Sequence, residues 1–165
     1  MGQYFMISKR FNKQTPSDFG LIKADEEDCA INPNDNSRWM RCSSYDLGWG
    51  NEIGYYRVPL PCFSELLQIL IESNDFDDIY GAAAIIIEKY PNDLLRYCEE
   101  LFTPPVNKDS AKKLIKVLHL DQCINRSPIQ GKTFEEITHD FTRWQEVSRR
   151  AQSTMKKPWT RKAKD

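Results

Sequence analysis

The sequence has few of the residues that enzyme and metal sites need. Only two histidines, His119 and His139, occur among its 165 residues. It contains no HExxH motif, no serine elbow and no phosphate-binding glycine loop. His139 lies four residues after Glu135 and next to Asp140, which is typical of a surface histidine rather than of a general base. We therefore predict a non-enzymatic protein that needs no metal and no cofactor. A hydrolase that pairs a cysteine with a histidine is the less favoured alternative.

The cysteines give no sign of a metal or redox site either. They are five in number and widely spaced, at Cys29, Cys42, Cys62, Cys98 and Cys123. No two have the spacing of a zinc knuckle or a redox motif. Cys98 and Cys123 fall where a helix would point them inward, so we expect buried thiols that act as small apolar side chains.

Long apolar runs are also missing. The seven-residue run GAAAIII at Gly81–Ile87 is far shorter than the roughly 18 apolar residues that a membrane helix requires. The first residues, MGQYFMISKRF, have no apolar stretch of the kind found in signal peptides. We therefore expect a cytoplasmic protein that does not enter a membrane.

What the sequence does have is a strong charge asymmetry behind a net charge of −1. Residues 25–111 carry six basic and seventeen acidic residues, whereas residues 147–165 carry seven basic residues and a single acid. An acidic body with a basic tail bears on the choice of partners rather than on the fold.

The first sixty residues are rich in turn-forming clusters and aromatic side chains. Tyr4–Ile7 and Ile53–Val58 are the best strand candidates, because they combine aromatic and β-branched residues. Pro59 ends the second candidate, since proline has no N–H to give to a sheet. Long loops that carry the aromatic side chains are an equal alternative for this segment.

From Pro61 onward, apolar residues recur at helical spacing. Thr133 and Glu136 fit a capping box at the start of the last helix. That helix carries an apolar side made of Phe134, Ile137, Phe141, Trp144, Val147 and Ala151. The predicted helices cover Phe63–Ile71, a segment from the Asp75–Asp78 acids to Tyr90, Pro91–Phe102, a segment from Asp109 or Ser110 to Leu118, and Phe134–Gln152.

The expected fold is therefore mainly α. We predict an antiparallel helical bundle or short α-hairpin stack, with an irregular, possibly β-containing N-terminal segment at residues 1–60 packed on a helical core at 61–152. Residues 1–152 would form a single domain, and residues 153–165 a basic C-terminal tail.

The acids and aromatic residues of the first half suggest a surface that binds a basic protein. Aromatic side chains are good interface anchors, and acidic charge speeds association with a basic partner. The predicted partner-binding residues are Asp25, Glu26, Glu27, Asp28, Trp39, Trp49, Tyr55, Tyr56, Asp75, Asp77 and Asp78.

The segment Asn74–Phe102, NDFDDIYGAAAIIIEKYPNDLLRYCEELF, resembles segments of small helical immunity proteins from bacterial toxin–immunity systems. The resemblance implies a protein that neutralises a cognate toxin, commonly a nuclease, by covering its active site. It implies no catalytic residues in this chain, and a basic toxin domain as the partner.

The alternative is a nucleic-acid-associated protein that uses the basic C-terminal helix and tail. Lysines and arginines there could contact phosphates, and a tryptophan could stack on a base. The residues are Arg149, Arg150, Lys156, Lys157, Trp159, Arg161 and Lys162. A tail that only adds solubility, or that folds back on the acidic body, explains the same composition.

Overall fold

The chain has an α+β fold rather than the predicted mainly α fold. The computed structural model describes residues 2–7, 15–44, 52–103 and 108–156. These residues form five α-helices and a five-stranded antiparallel sheet. The mainly α prediction is wrong because residues 1–60 hold a whole sheet and not an irregular segment.

The chain divides into two compact units, Met1–Tyr90 and Pro91–Asp165. The first contains the sheet and two helices, and the second contains three helices. The single domain expected for residues 1–152 stays a prediction, and the boundary between the two units falls between two consecutive helices. The two units are called the N-terminal and the C-terminal unit below.

The sheet of the N-terminal unit has the strand order β1-β5-β4-β3-β2, with every neighbouring pair antiparallel. β1 and β5 match the two predicted strands, whereas the other three were not predicted. The strands are β1 (Phe5–Ile7), β2 (Ile22–Lys23), β3 (Cys29–Ile31), β4 (Arg38–Ser44) and β5 (Glu52–Arg57).

Apolar residues cover one face of this sheet with a small cluster of their own. Met6, Ala30, Trp39 and Tyr55 come from four strands, and they pack with residues of the segment that precedes β2. In that segment, Phe19 ends a short 3-10 helix, and its ring meets Tyr55 edge-on with the centroids 5.2 Å apart. Aromatic pairs favour this geometry.

The opposite face of the sheet packs on helix α2 (Phe76–Lys89), which contacts β1, and helix α1 (Phe63–Glu72) packs on α2 in turn. At Gly81 of α2, an added Cβ would lie 2.2 Å from the ring of Phe5 in β1. The missing side chain therefore lets strand and helix approach closely. The apolar run Gly81–Ile87 is thus a helix that contacts both α1 and β1.

In the C-terminal unit, α3 (Pro91–Leu101) and α4 (Lys108–Leu118) both pack on α5 (Phe134–Met155). The capping box predicted at the start of α5 is confirmed, and the helix extends three residues beyond the predicted end. Buried Cys98 confirms the first of the two inward thiols, but Cys123 is exposed on the connection to α5. The core of the unit contains Leu94, Leu95, Cys98, Ala111, Leu114, Ile115, Leu118, Leu120, Trp144, Val147 and Ala151.

Candidate functional site

The acidic run Asp25–Asp28 forms the turn between β2 and β3, and its side chains are exposed. Two arginines of β4 lie beside it. Arg38 forms an ion pair with Glu26, and Arg41 lies 3.9 Å from Asp28. The protein's own arginines therefore neutralise part of this run, which reduces the attraction that it can exert on a basic partner.

Two of the predicted aromatic anchors are part of the core instead. Trp39 and Tyr55 are only 2% and 3% exposed, so the prediction that they contact a partner is wrong. Tyr56, on the other face of the sheet, is half-buried, and Lys89 Nζ lies 6.0 Å above the centre of its ring. Trp49 lies outside the described residues.

Asp75 is the N-cap of α2. Its Oδ1 accepts hydrogen bonds from the backbone N–H groups of Asp77 at 2.9 Å and Asp78 at 3.2 Å. Burial opposes its ionisation, but the amides of Asp78 and Asp77 hold the pKa of Asp75 below its usual value. Asp75 therefore stabilises the first turn of the helix.

Asp78 is buried at 3% exposure, so its predicted contact with a partner is wrong. Its carboxylate accepts hydrogen bonds from three consecutive backbone N–H groups, those of Gln3 at 2.9 Å, Tyr4 at 2.7 Å and Phe5 at 3.0 Å. A buried carboxylate is stable only when it is compensated in this way. Asp78 therefore ties the segment that begins β1 to α2.

Two of the basic residues that were predicted to contact nucleic acid lie in α5 and form ion pairs with the same acid. Glu146 accepts two hydrogen bonds from Arg149, at 2.8 and 2.7 Å, and one from Arg150 at 2.7 Å. These hydrogen bonds lower the pKa of Glu146 to about 2. Lys156 is exposed just after α5. The remaining residues lie outside the described part: Lys157, Trp159, Arg161 and Lys162.

Large apolar side chains are exposed at the start of α5 and on the connection before it. Phe134 is 81% exposed, Ile129 63% and Phe141 39%. The sequence placed both phenylalanines on the buried side of the helix, and their exposure corrects that prediction. These three residues are called the α5 apolar surface below.

The helical wheel explains this error. At 3.6 residues per turn, Phe134 lies about 80° around α5 from Trp144 and about 140° from Val147. Those two side chains are buried, at 1% and 2% exposure. The apolar residues of α5 are thus spread too widely around the helix axis to be buried on a single face. This angular spread can be calculated from the sequence alone.

The start of α5 is held firmly by local bonds. The N–H of Thr133 donates to Glu136 Oε2 at 2.7 Å, and the N–H of Glu136 donates to Thr133 Oγ1 at 3.3 Å. The hydrogen bonds from Thr133 hold the pKa of Glu136 below its usual value. Lys132 forms an ion pair with Asp140, which lies one turn after Glu136, and both side chains are largely buried. Phe134 therefore projects from a well-fixed helical turn.

The connection between α4 and α5 is fixed from inside the unit. The indole Nε1 of Trp144 donates to Ser127 Oγ at 3.0 Å, and both residues are buried. The Arg126 guanidinium lies 5.1 Å from the Trp144 ring centre, and it donates to the carbonyls of Leu118 and His119 at 3.1 and 2.9 Å. Ile129 therefore follows a segment whose backbone is anchored to α4 and α5.

A second candidate site is a cleft of about 610 Å³ in the N-terminal unit. It opens between α1, the start of β1 and the segment that follows β5. This β1–α1 cleft has both apolar and charged walls, which include Tyr4, Val58, Leu60, Glu65, Ile69 and Glu72. Its volume falls within the range of small-ligand and side-chain pockets.

No protein-family model, curated protein or solved structure matches the chain. Within the described residues, no three side chains of the metal-binding types come close enough together to share an ion. The helices in the same part of the chain are all too short or too polar to cross a membrane.

Proposed function

We propose that the chain is a non-enzymatic protein-binding protein, and that the α5 apolar surface contacts the partner. The observation that carries the proposal is the 81% exposure of Phe134 on a well-capped helix. Phe134 and Phe141 are seven residues apart and therefore lie on the same side of α5. Exposed apolar patches mark interaction sites, and aromatic anchors dominate binding energies at interfaces.

The surroundings of this surface favour a basic partner. Glu135 and Glu136 lie in the first turn of α5 beside Phe134, and both are exposed. A partner with an apolar pocket for Phe134 and basic residues around it would match both features. The resemblance of Asn74–Phe102 to immunity proteins favours a basic toxin domain, inhibited by being covered, as that partner.

The test compares partner binding by the wild type and by a variant with Phe134→Ser and Phe141→Ser. A partner is isolated from the host with the tagged chain, then purified and titrated against both proteins. We expect a stoichiometric complex with the wild type and at least about tenfold weaker binding by the variant, because removing a hot-spot aromatic costs about 2 kcal/mol or more.

Ile22→Ser is the matched control, since Ile22 is 59% exposed in the N-terminal unit. It should bind as the wild type does, and all three proteins should be fully folded at the temperature of the binding assay. Equal binding by the wild type and the double variant would refute the role of the α5 apolar surface. The inhibitory function would be supported if the wild type inhibits the partner's activity and the double variant does not.

A further inference from the structure

The β1–α1 cleft presents one continuous face of α1. Glu65, Gln68, Ile69 and Glu72 all line it, and their spacing of three and four residues places them on the same side of the helix. Glu65 and Glu72 are seven residues apart, which is about 10 Å along the helix axis. Ile69 lies between them and is 9% exposed, so it forms the apolar floor of the cleft, with an exposed carboxylate at each end.

Each of the two end carboxylates accepts a hydrogen bond from the chain and keeps the capacity to accept more. Glu65 Oε2 accepts the backbone N–H of Cys62 at 2.7 Å, and this hydrogen bond holds the pKa of Glu65 below its usual value. Glu72 Oε2 accepts from Gln68 Nε2 at 3.0 Å. A carboxylate can accept about four hydrogen bonds, so each group retains capacity for a cation from outside.

The other walls add apolar surface and further charge. Val58 and Leu60, on the segment after β5, line the cleft together with prolines. Asp78 also lines it with its buried carboxylate. Arg57 is the opposing charge, and its guanidinium lies 3.5 Å from Asp35. The lining thus suits a ligand that has an apolar body and positive ends.

We propose that the β1–α1 cleft binds an extended basic segment of a partner protein, with two cationic side chains at Glu65 and Glu72 and apolar side chains over Ile69. The spacing fits a segment in the polyproline II conformation. A polyproline II helix has three residues per turn and rises about 3.1 Å per residue, so positions i and i+3 share a side about 9 Å apart. In a β-strand, same-side positions are about 7 or 13 Å apart, and neither distance matches.

This site goes beyond the α5 apolar surface and lies in the other unit, so the two can be tested separately. The probe is the peptide Ac-Pro-Lys-Pro-Pro-Lys-Pro-Pro-NH2, titrated into the full chain and followed by NMR. The comparison peptides carry glutamate in place of lysine, or carry the two lysines at i and i+2. We expect saturable shifts at Ile69 with the first peptide, and weaker binding or none with the others.

Matched variants locate the binding. Glu65→Gln and Glu72→Gln should each weaken the peptide by about two- to fivefold, which is the range for single exposed ion pairs. Glutamine at position 65 keeps the helix cap. Glu27→Gln removes the same charge from the acidic turn and should leave binding unchanged, as should the Phe134→Ser, Phe141→Ser double variant.

Several results would overturn the inference. They are no shift at Ile69, equal binding of the glutamate peptide, and equal weakening by Glu27→Gln. Spermidine binding as tightly as the peptide would also overturn it, since a free polyamine would then satisfy the cleft. Weaker peptide binding by the Glu65→Gln and Glu72→Gln variants, with an unchanged affinity for a partner bound at the α5 apolar surface, would show that the two sites act independently.

Discussion

The carboxylate of Asp78 accepts a hydrogen bond from the backbone N–H of Tyr4 at 2.7 Å. The N–H groups of Gln3 and Phe5 point to the same carboxylate. A helix residue thus replaces the strand partner that these amides would otherwise need, and it does so from a buried position. The start of the sheet therefore depends on one acid of α2.

We expect Asp78→Asn to destabilise the protein by about 2 to 4 kcal/mol, because hydrogen bonds to a charged group are strong and the amide can accept fewer of them. Urea unfolding measures the loss, and hydrogen exchange should show weaker protection at Tyr4 and Phe5. Glu88→Gln, at an exposed site on the same helix, should change stability by less than about 0.5 kcal/mol. Equal stabilities of the two variants would contradict the role given to Asp78.

Gly81→Ala should destabilise by about 1 to 3 kcal/mol, although alanine normally favours a helix, because the new Cβ would overlap the Phe5 ring. A double-mutant cycle with Phe5→Ala measures the coupling. The double variant should lose less than the sum of the single variants, since removing the ring makes space for the methyl group. Additive losses would show that the two residues do not compete for the same space.

Ser127→Ala should destabilise by about 1 to 3 kcal/mol, because it leaves the buried Nε1 of Trp144 without its acceptor. The change can be followed by thermal unfolding. Ser153→Ala removes a hydroxyl from an exposed site on α5, the helix that carries Trp144, so it should have almost no effect on stability. A large loss from Ser153→Ala would mean that hydroxyl groups on α5 matter for another reason.

Acid should weaken the C-terminal unit through Glu99. Arg143 donates to both oxygens of this carboxylate, at 2.8 and 2.7 Å, and its hydrogen bonds hold the pKa of Glu99 below the usual value. A lowered folded-state pKa contributes stability above the unfolded value of about 4.3, which is lost as the pH falls through the folded value.

Because both side chains are about one-third exposed, the contribution should stay below about 1 kcal/mol. Unfolding free energies at pH 7 and pH 3 measure it. Glu99→Gln should be less stable than the wild type at pH 7, and the difference should shrink at pH 3. A difference that does not change with pH would mean that the pair acts by packing alone.

Local sequence signals predicted the helices well because the forces involved are local. The capping box at Thr133 and Glu136, the N-cap among the acids at Asp75 and the proline at the start of α3 each act within one helical turn. Such features can be found without knowing the rest of the fold.

The sheet was mostly missed because its strands lack the usual alternation. β4 reads RWMRCSS, with Arg38 and Met40 on one face and Trp39 and Arg41 on the other. Both faces of the sheet pack against other parts of the N-terminal unit, so each face accepts apolar residues. The two arginines of β4 instead pair with acids of the turn between β2 and β3. β2 and β3 have only two and three residues, too few to show any period.

The candidate sites could be predicted only in part for a related reason. Sequence pattern identifies apolar residues on α5, but whether Phe134 is covered depends on which segments of the chain reach it. Exposure of Phe134 and burial of Trp39 are outcomes of tertiary packing, and both reversed the predicted roles.

The two covered faces of the sheet have a consequence for strand pairing. Polarity alone cannot reject a shift of β5 by one residue, since Tyr55 and Tyr56 would merely exchange faces. Gly54 can reject it, because a Cβ there would lie 2.7 Å from the carbonyl oxygen of Met6. A shifted β5 would bring a bulky side chain to a place where only a hydrogen atom fits. In this sheet, the strand register is fixed by the absence of a side chain at Gly54 rather than by a pattern of hydrophobicity.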